Sequence, residues 1–350
     1  MSKLVKGLDA GTMNLVAAVQ NDGGTLNLKS QRNLFIEVPN DSWTMDMLDS
    51  SKVSYVEYGE GTKSKLYVLG NNAFELARIF NRDPQRPMSN GVLSPEELNA
   101  VPILNLLIQK LLGKAQPGEE CVFSVPADPI DSDIDIVFHK AMLEEVLQNN
   151  GYKPRAITEA HAVGLSELGD DNFTGIALSW GAGMVNISVI YRSIPAIVFS
   201  TSKSGDWIDK KVAGVTGLVK SRVTGIKERE TDLMNPTTRV QKAIAAYYRD
   251  LVQYVMANIE RRFKTGNDMP DFGEPIPIVC AGGTAAAKGF IELFREEYEK
   301  MDFPIPIKEI RMAKEPLYAT AKGCLIAGLA KSGAKKQDPK PQPKPRKETE

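Results

Sequence analysis

The chain has 350 residues, of which 42% are hydrophobic and 25% are charged, which is typical of a globular protein with two sizeable cores. The formal net charge of −1 argues against nucleic acid as a partner, because proteins that bind the phosphate backbone usually carry a basic face. Three cysteines and two histidines argue against a zinc site, and we expect reduced thiols and a cytoplasmic location. No apolar run approaches the roughly 20 residues that cross a bilayer, so we expect no integral membrane association.

Residues 7–19 are predicted to form two strands joined by a glycine turn. Gly11 has no Cβ, which lets the backbone fold tightly and bring its N–H groups against a bound phosphate. Asp9 stands where the first strand ends, a position suited to holding a hydrated cation beside that phosphate. A related stretch recurs at residues 178–189, with Gly181 and Gly183 in its turn. Two such hairpins predict two similar half-molecules that face one nucleotide.

Alternating strands and helices follow in the first half of the chain. Ser94 and Pro95 are typical of a helix start, and the helix should run to Leu112 with a kink at Pro102. The other predicted segments are a strand over 25–33, an inserted module over 34–98 with strands at 52–58 and 65–69 and a helix at 71–80, a loop over 86–93, a strand over 120–126, a helix over 131–149, a strand over 155–159 and a helix over 160–168.

The second half begins with the Gly181 and Gly183 hairpin, whose strands should reach Phe199. Helices are predicted from residue 204, with breaks, to 229, over 238–263 and over 319–329. Residues 277–284 are predicted as a strand and a glycine turn that opens a helix, whose free N–H groups would face an anion or a nucleotide. Residues 331–350 alternate proline with Lys, Gln and Asp, and we expect a disordered, extended tail.

With these segments placed, the chain resembles the ATPase superfamily of actin, heat-shock chaperones and sugar kinases, and it is most similar to bacterial actins of the MreB and MamK type. Glycine turns are common, so one matching segment alone is weak evidence for the family. Five matching segments, however, occur in the family's order. They are the first phosphate loop at 8–14, an MreB-type signature at 86–93, the segment that connects the lobes at 157–160, the second phosphate loop at 179–183 and the adenosine turn at 281–284.

The resemblance implies an α/β, two-lobed actin-like ATPase fold with duplicated ribonuclease H-like lobes. The implied divisions are a first lobe over 1–160 that contains a small subdomain at about 34–98, a second lobe over 161–315, a closing helix over 316–330 that returns to the first lobe, and the tail over 331–350.

The resemblance also implies a site for ATP and Mg²⁺. Asp9 would orient water molecules around Mg²⁺, which prefers a hydrated shell, and Glu159 would position the water that attacks the phosphate. Catalysis would then consist of clamping the phosphates and placing that water in line. The implied nucleotide-binding residues are Gly11, Thr12, Met13 and Asn14 and, opposite them, Gly181, Ala182 and Gly183 at the phosphates, Gly205, Lys227 and Glu228 near the ribose and base, and Gly282, Gly283 and Thr284 at the adenine.

Two departures from the family pattern bear on function. Ser179 stands where the family usually has aspartate, and Met184 where it usually has threonine, so one carboxylate of the Mg²⁺ site is missing. We therefore expect ATP binding to persist and hydrolysis to be slow or absent. The segment between Glu228 and Thr238 is too short for the small strand-containing subdomain that MreB-like proteins carry there. This predicts a reduced subdomain in the second lobe. It does not determine which surfaces would form the longitudinal contacts of a filament.

Each of these residues also has a purely structural interpretation. Asp9 would then cap a turn, and Glu159 would be an acid at a helix start. Lys227 and Glu228 would form a solvated helical pair. For His161, a packed or half-exposed helix position is expected rather than a catalytic role, and Trp180 and Trp207 are expected in the core.

The function that we expect is that of a cytoplasmic actin-like protein which binds ATP and assembles with itself into filaments or a scaffold. One alternative is an adaptor that has kept the fold and does not polymerise. Another is a chaperone-type or sugar-kinase-type ATPase, since the fold alone does not choose between them. The basic tail is expected to solvate the chain or to attract an anionic surface or a protein partner.

Overall fold

The computed structural model describes residues 4–330 except residue 22, residues 60–63, residues 80 and 82, and residues 266–269. The predicted tail therefore lies outside the described residues. The elements up to the middle of the chain are β1 Val5–Ala10, β2 Asn14–Gln20, β3 Leu26–Arg32, β4 Phe35–Val38, α1 Ser42–Ser50, β5 Tyr55–Tyr58, β6 Lys65–Leu69, α2 Asn71–Ile79, β7 Met88–Ser89, β8 Val92–Leu93, α3 Ala100–Leu112, β9 Glu120–Val125, α4 Ile136–Asn149, β10 Lys153–Thr158 and α5 Glu159–Glu167.

The remaining elements follow a short turn of 3-10 helix at Gly169–Asp171. They are β11 Gly175–Trp180, β12 Val185–Tyr191, β13 Ile194–Thr201, α6 Gly205–Thr216, α7 Lys220–Arg229, α8 Arg239–Thr265, β14 Ile276–Ala281, α9 Phe290–Tyr298, β15 Ile307–Met312 and α10 Ala319–Ala330. No helix among the described residues is long and apolar enough to cross a bilayer.

Two five-stranded sheets repeat one topology. The first has the order β10-β9-β1-β2-β3 and the second the order β13-β12-β11-β14-β15. In each sheet the first three strands in sequence form an antiparallel meander, and the last two are added in parallel on the other side. β1 therefore corresponds to β11, and β9 to β14. The prediction of a two-lobed α/β fold with duplicated lobes is confirmed.

Two helices lie between the sheets and pack closely against each other. α10 contacts β1 and β9 of the first sheet, and α5 contacts β11 and β12 of the second. The close contact depends on glycine, because a Cβ added at Gly323 of α10 would lie 1.7 Å from the carbonyl oxygen of Ala162 in α5. A Cβ at Gly7 of β1 would lie 2.2 Å from the carbonyl oxygen of Ala321.

The two lobes differ in what is inserted in them. The first carries a small antiparallel sheet of order β4-β6-β5, with α1 and α2 packed on a core that includes Leu34, Leu66 and Phe74. In the second lobe the described residues between β13 and β14 form α6, α7 and α8 and no named strand, and residues 230–238 join α7 to α8. This agrees with the expectation of a reduced second-lobe subdomain.

Two helices begin later than predicted. α3 begins at Ala100 rather than at Ser94, which places Pro102 in the first turn, where its missing N–H removes no helical hydrogen bond and causes no kink. α4 begins at Ile136 because the segment before it runs along β13, where Ile130 N donates to Ser200 O at 3.0 Å. Residues 86–93, predicted as a loop, contain the β7–β8 hairpin.

The prediction that the turn at 281–284 opens a helix is also wrong. Gly282 N donates to Pro316 O at 2.8 Å and Thr284 N donates to Trp180 O at 3.0 Å, so neighbouring segments hold the turn. α9 begins only at Phe290. The N–H groups of a helix start are therefore not available at this turn.

Several structural interpretations from the sequence agree with the structure. Trp180 is fully buried and packs edge-on against Phe290, and Trp207 is partly buried. His161 is half-buried, and its Nε2 lies 3.1 Å from the carbonyl oxygen of Ser193. The three cysteines are free and buried.

The contact between α10 and α5 predicts opposite effects for the same substitution at two helical glycines. Gly323→Ala should destabilise the fold by about 1–3 kcal/mol or more, because the new methyl group overlaps the backbone of α5. Gly214→Ala in α6, where nothing lies within 4 Å of an added Cβ, should stabilise the fold by about 0.5–1 kcal/mol. Urea unfolding of both variants gives the comparison, and a neutral or stabilising Gly323→Ala would contradict the packing described.

Candidate functional site

A cleft of about 350 Å³ opens between the lobes where the two glycine turns meet. The contact is between backbones, because a Cβ at Gly183 would lie 2.2 Å from the backbone nitrogen of Gly91 and 2.3 Å from Thr12 Oγ1. Thr12 Oγ1 in turn accepts a hydrogen bond of 3.1 Å from Gly91 N. The turn after β11 thus lies directly on the turn after β1 and on the β7–β8 hairpin.

All the predicted site residues except Gly205 line this cleft. Gly205 lies behind it, where its N–H donates to Gly181 O at 3.2 Å and where an added Cβ would lie 2.4 Å from Thr284 Oγ1. The predicted residues that line the cleft are Asp9, Gly11, Thr12, Met13, Asn14, Glu159, Gly181, Ala182, Gly183, Lys227, Glu228, Gly282, Gly283 and Thr284.

The two turns present backbone donors to the cleft. Among the described residues, no acceptor is found for the N–H groups of Thr12 and Met13 in the first turn, or of Ala182 and Gly183 in the second. Successive unpaired N–H groups in a tight turn form a concavity that binds anions. The arrangement suits a phosphate chain held from both sides.

Two partly buried carboxylates lie at the floor of the cleft, both at the carboxyl edge of the first sheet's parallel strands. Asp9 is the next-to-last residue of β1, and its Oδ1 accepts a hydrogen bond of 2.7 Å from Ser124 Oγ. Glu159 follows β10, and its Oε2 accepts from Ser179 Oγ at 3.2 Å and from Asn186 Nδ2 at 2.9 Å. Ser179, which replaces the expected aspartate, therefore orients Glu159.

Burial raises the pKa of both carboxyl groups, and the charge of Asp9 raises the pKa of Glu159 further. Two carboxylates in this position are stabilised by a proton or a cation between the lobes. No cluster of three or more His, Cys, Asp or Glu side chains in the described part of the chain is placed to hold a metal ion. One or two carboxylates next to a phosphate site suit Mg²⁺, which usually keeps several of its water molecules.

Lys227 lines the cleft, but its ammonium group is held within the second lobe. Its Nζ lies 2.8 Å from Asp209 Oδ1 and donates to Gly205 O at 3.1 Å, and both side chains of the ion pair are buried. Asp209 also accepts a hydrogen bond of 2.7 Å from Thr224 Oγ1. Burial raises the pKa of Asp209, and the nearby Lys227 opposes that rise. The alternative of a solvated helical pair is wrong for Lys227.

Glu228 is bound across the mouth of the cleft. Arg32, the last residue of β3, donates from Nη1 to Glu228 Oε1 at 3.0 Å and from Nη2 to Oε2, while its guanidinium lies 4.6 Å from the ring centre of Phe74. Arg86 and Asp206 form a second link between the lobes, with Nη1 at 2.8 and 2.7 Å from the two carboxylate oxygens. The first lobe is thereby joined to α6 and α7 of the second lobe.

Several residues that line the cleft were not predicted from the sequence. Most of them are brought to the cleft by tertiary folding and belong to no local motif. The only sequence feature of Arg32 is its position at the end of a strand, and Tyr248 lies in the middle of a long helix. The missed residues are Ser30, Gln31, Arg32, Asn71, Gly91, Tyr248, Ala286, Ala287 and Leu317.

Two duplicated sheets that close on a cleft lined by paired glycine turns define a protein with the actin-like ATPase fold. The family model described as Volactin matches residues 4–328, and the chain belongs to the Volactin family. No curated protein matches the sequence.

Solved structures share this fold at low sequence identity. A "MamK double helical filament" is 18% identical with a TM-score of 0.70, covering 93% of this chain and 99% of that one. MreB5 of Spiroplasma citri bound to AMPPNP is 13% identical with a TM-score of 0.65, covering 95% and 98%. The ethanolamine utilization protein EutJ from Carboxydothermus hydrogenoformans is 16% identical with a TM-score of 0.53, covering 92% and 88%. The expected likeness to bacterial actins is confirmed at the level of fold.

The buried ion pair predicts a structural role for Lys227. Lys227→Met should lower the free energy of unfolding by about 3–5 kcal/mol, because it leaves the Asp209 carboxylate buried without its partner. Lys220→Met, at an exposed position of the same helix, should change it by less than about 0.5 kcal/mol. Chemical unfolding measures both. Equal small effects would mean that the Lys227 ammonium group is not held as described.

Proposed function

We propose that the chain binds ATP with Mg²⁺ in this cleft and assembles with copies of itself into nucleotide-dependent filaments or a scaffold. The observation that carries the proposal is the meeting of the two glycine turns over two partly buried carboxylates, with unpaired N–H groups on both sides. The MreB5 structures bound to AMPPNP and to ADP, and the MamK filament, support it by analogy of fold.

Each group in the cleft has a definite part in this proposal. The unpaired N–H groups of Thr12 and Met13 in the turn at 11–14, and of Ala182 and Gly183 in the turn at 181–183, hold the phosphates, and the turn at 282–284 borders the adenine. Asp9 orients the water shell of Mg²⁺, which when bound neutralises charge on the phosphates. Glu159, held by Ser179 and Asn186, orients the water that faces the terminal phosphate.

Hydrolysis is proposed to be slow. Ser179 is neutral where an aspartate would add a second carboxylate to the metal site, so this chain would hold Mg²⁺ with one carboxylate fewer. The nucleotide would then act mainly by closing the lobes and selecting a shape that assembles. The Arg32–Glu228 and Arg86–Asp206 pairs span the same cleft and would be part of the closed form.

The competing proposal is an adaptor of the same fold that does not polymerise. The absence of a strand-containing subdomain between β13 and β14 in the described residues favours it, because that region contributes to filament contacts in the MreB-type proteins that the chain resembles. Sedimentation with and without AMPPNP and Mg²⁺ decides between them. Pelleting that depends on nucleotide supports the filament, and a soluble monomer at all concentrations supports the adaptor.

Filling the cleft at Gly283 tests nucleotide binding. An added Cβ there meets nothing closer than 3.8 Å, so Gly283→Leu should fold normally and project into the space of the adenine. We expect it to lose at least about tenfold in affinity for AMPPNP with Mg²⁺ in calorimetry. Gly214→Leu, on the exposed side of α6, is the matched control and should bind as the wild type does. Unchanged affinity of Gly283→Leu for AMPPNP would contradict the proposed position of the nucleotide.

Restoring the carboxylate at position 179 tests the account of slow hydrolysis. Ser179→Asp should raise steady-state phosphate release several-fold and make it more dependent on Mg²⁺, whereas the neutral Ser179→Asn should not. The wild type should release phosphate slowly in the same assay. Turnover by the wild type as fast as that of ordinary bacterial actins would show that Ser179 does not limit the reaction.

A further inference from the structure

A second cavity, of about 340 Å³, lies on the first lobe between α3 and α4. Its walls are largely apolar, with Val101, Pro102 and Leu106 on α3 and Val146 on α4, and Tyr58 at the end of β5 borders it. It shares no lining residue with the nucleotide cleft. Its size is at the lower end of the roughly 300–1,000 Å³ typical of ligand pockets. We call it the α3–α4 groove.

Two asparagine side chains give this groove polar groups as well as apolar walls. Asn105 and Asn149 both line it. Asn150 Nδ2 donates to Asn105 Oδ1 at 2.7 Å, so the oxygen of Asn105 is already engaged and its NH₂ group is left to donate into the groove. A ligand rich in carbonyl acceptors and poor in N–H donors fits these walls, and a proline-rich peptide has this chemistry because proline lacks an N–H.

Two exposed carboxylates lie close to the groove residues in the chain. Glu145 lies one helical turn before Asn149 on α4, and Glu96 lies shortly before α3 begins. Two nearby lysines are paired with carboxylates: Lys140 approaches Glu144 at 4.0 Å, and Lys65, which stands opposite Tyr58, donates to Glu37 at 2.9 Å. A basic ligand is therefore favoured over an acidic one.

We propose that the α3–α4 groove binds residues 336–347 of this same chain. In that segment Pro339, Pro341, Pro343 and Pro345 alternate with other residues, and five basic residues stand against one acid. Alternating prolines favour the polyproline II conformation, which aromatic-lined grooves recognise with little loss of entropy. Tyr58 and Pro102 pack against the prolines, Asn105 donates to a carbonyl oxygen, and Glu145 pairs with a lysine of the segment.

The test uses the full chain and two arginine variants at neighbouring positions of α4. Asn149→Arg fills the groove with a bulky cation and stands at the last residue of the helix, where the helix dipole favours positive charge. Gln148→Arg places the same side chain at the adjacent exposed position, outside the groove. Neither position belongs to the nucleotide cleft, so nucleotide binding should be unchanged in both.

Two readouts follow the segment directly. Acylation of Lys340 and Lys344, measured by mass spectrometry, should be several-fold slower in the wild type and in Gln148→Arg than in Asn149→Arg or in a synthetic peptide of residues 336–347. A carbodiimide should join Glu145 to Lys340 or Lys344 in the wild type and not in Asn149→Arg. Mixing isotope-labelled with unlabelled protein shows whether that link lies within one chain or between two copies. A link within one chain supports the proposal, and a link found only between two copies contradicts it.

Two further outcomes would overturn it. One is acylation of both lysines at the rate of the free peptide in the wild type, with no difference between the two arginine variants. The other is a protected segment whose cross-links lead to a different acidic surface, such as Asp46 and Asp49 on α1, and persist in Asn149→Arg.

Discussion

The contact of Gly183 with Gly91 and Thr12 is the constraint on which the cleft depends. No side chain fits there, since a Cβ would lie 2.2 Å from the backbone nitrogen of Gly91. Because no side chain separates them, the two turns lie close enough to face one ligand. The same turns keep unpaired N–H groups beside two partly buried carboxylates. A cleft made in this way suits the proposed ligand, because a nucleotide with Mg²⁺ is an anion that carries a cation.

Duplication explains why the cleft lies where it does. β1 and β11 are the central strands of equivalent sheets, and each ends in a glycine turn at the carboxyl edge, where open α/β sheets bind ligands. α5 and α10 pack between the sheets with glycine at their crossing, so the two edges are held at a short distance. Arg32 and Glu228 then close the mouth from opposite lobes. Under the proposed function, a change at a bound nucleotide would alter the relative position of the lobes through these contacts.

The parts of the site that the sequence predicts are those with local chemical signals. A carboxylate at a strand end followed by a glycine turn places Asp9 and Gly11 without knowledge of the rest. Arg32, Tyr248 and the buried partner of Lys227, Asp209, could not be predicted, because tertiary placement alone brings them to the cleft or beneath it. The prediction of a helix directly after Gly282 was wrong for the same reason. Hydrogen bonds from Gly282 N to Pro316 O and from Thr284 N to Trp180 O hold this segment as a turn, although its local sequence is typical of a helix start.

The most direct test of the account is whether both turns respond to one nucleotide. Amide-resolved NMR of the full chain, titrated with AMPPNP and Mg²⁺, follows the N–H groups of Thr12 and Met13 in one turn and of Ala182 and Gly183 in the other. If both turns hold one nucleotide, all four signals should shift together with a single affinity and stop changing at one equivalent of nucleotide. Shifts confined to one turn, or none at saturating nucleotide, would contradict it.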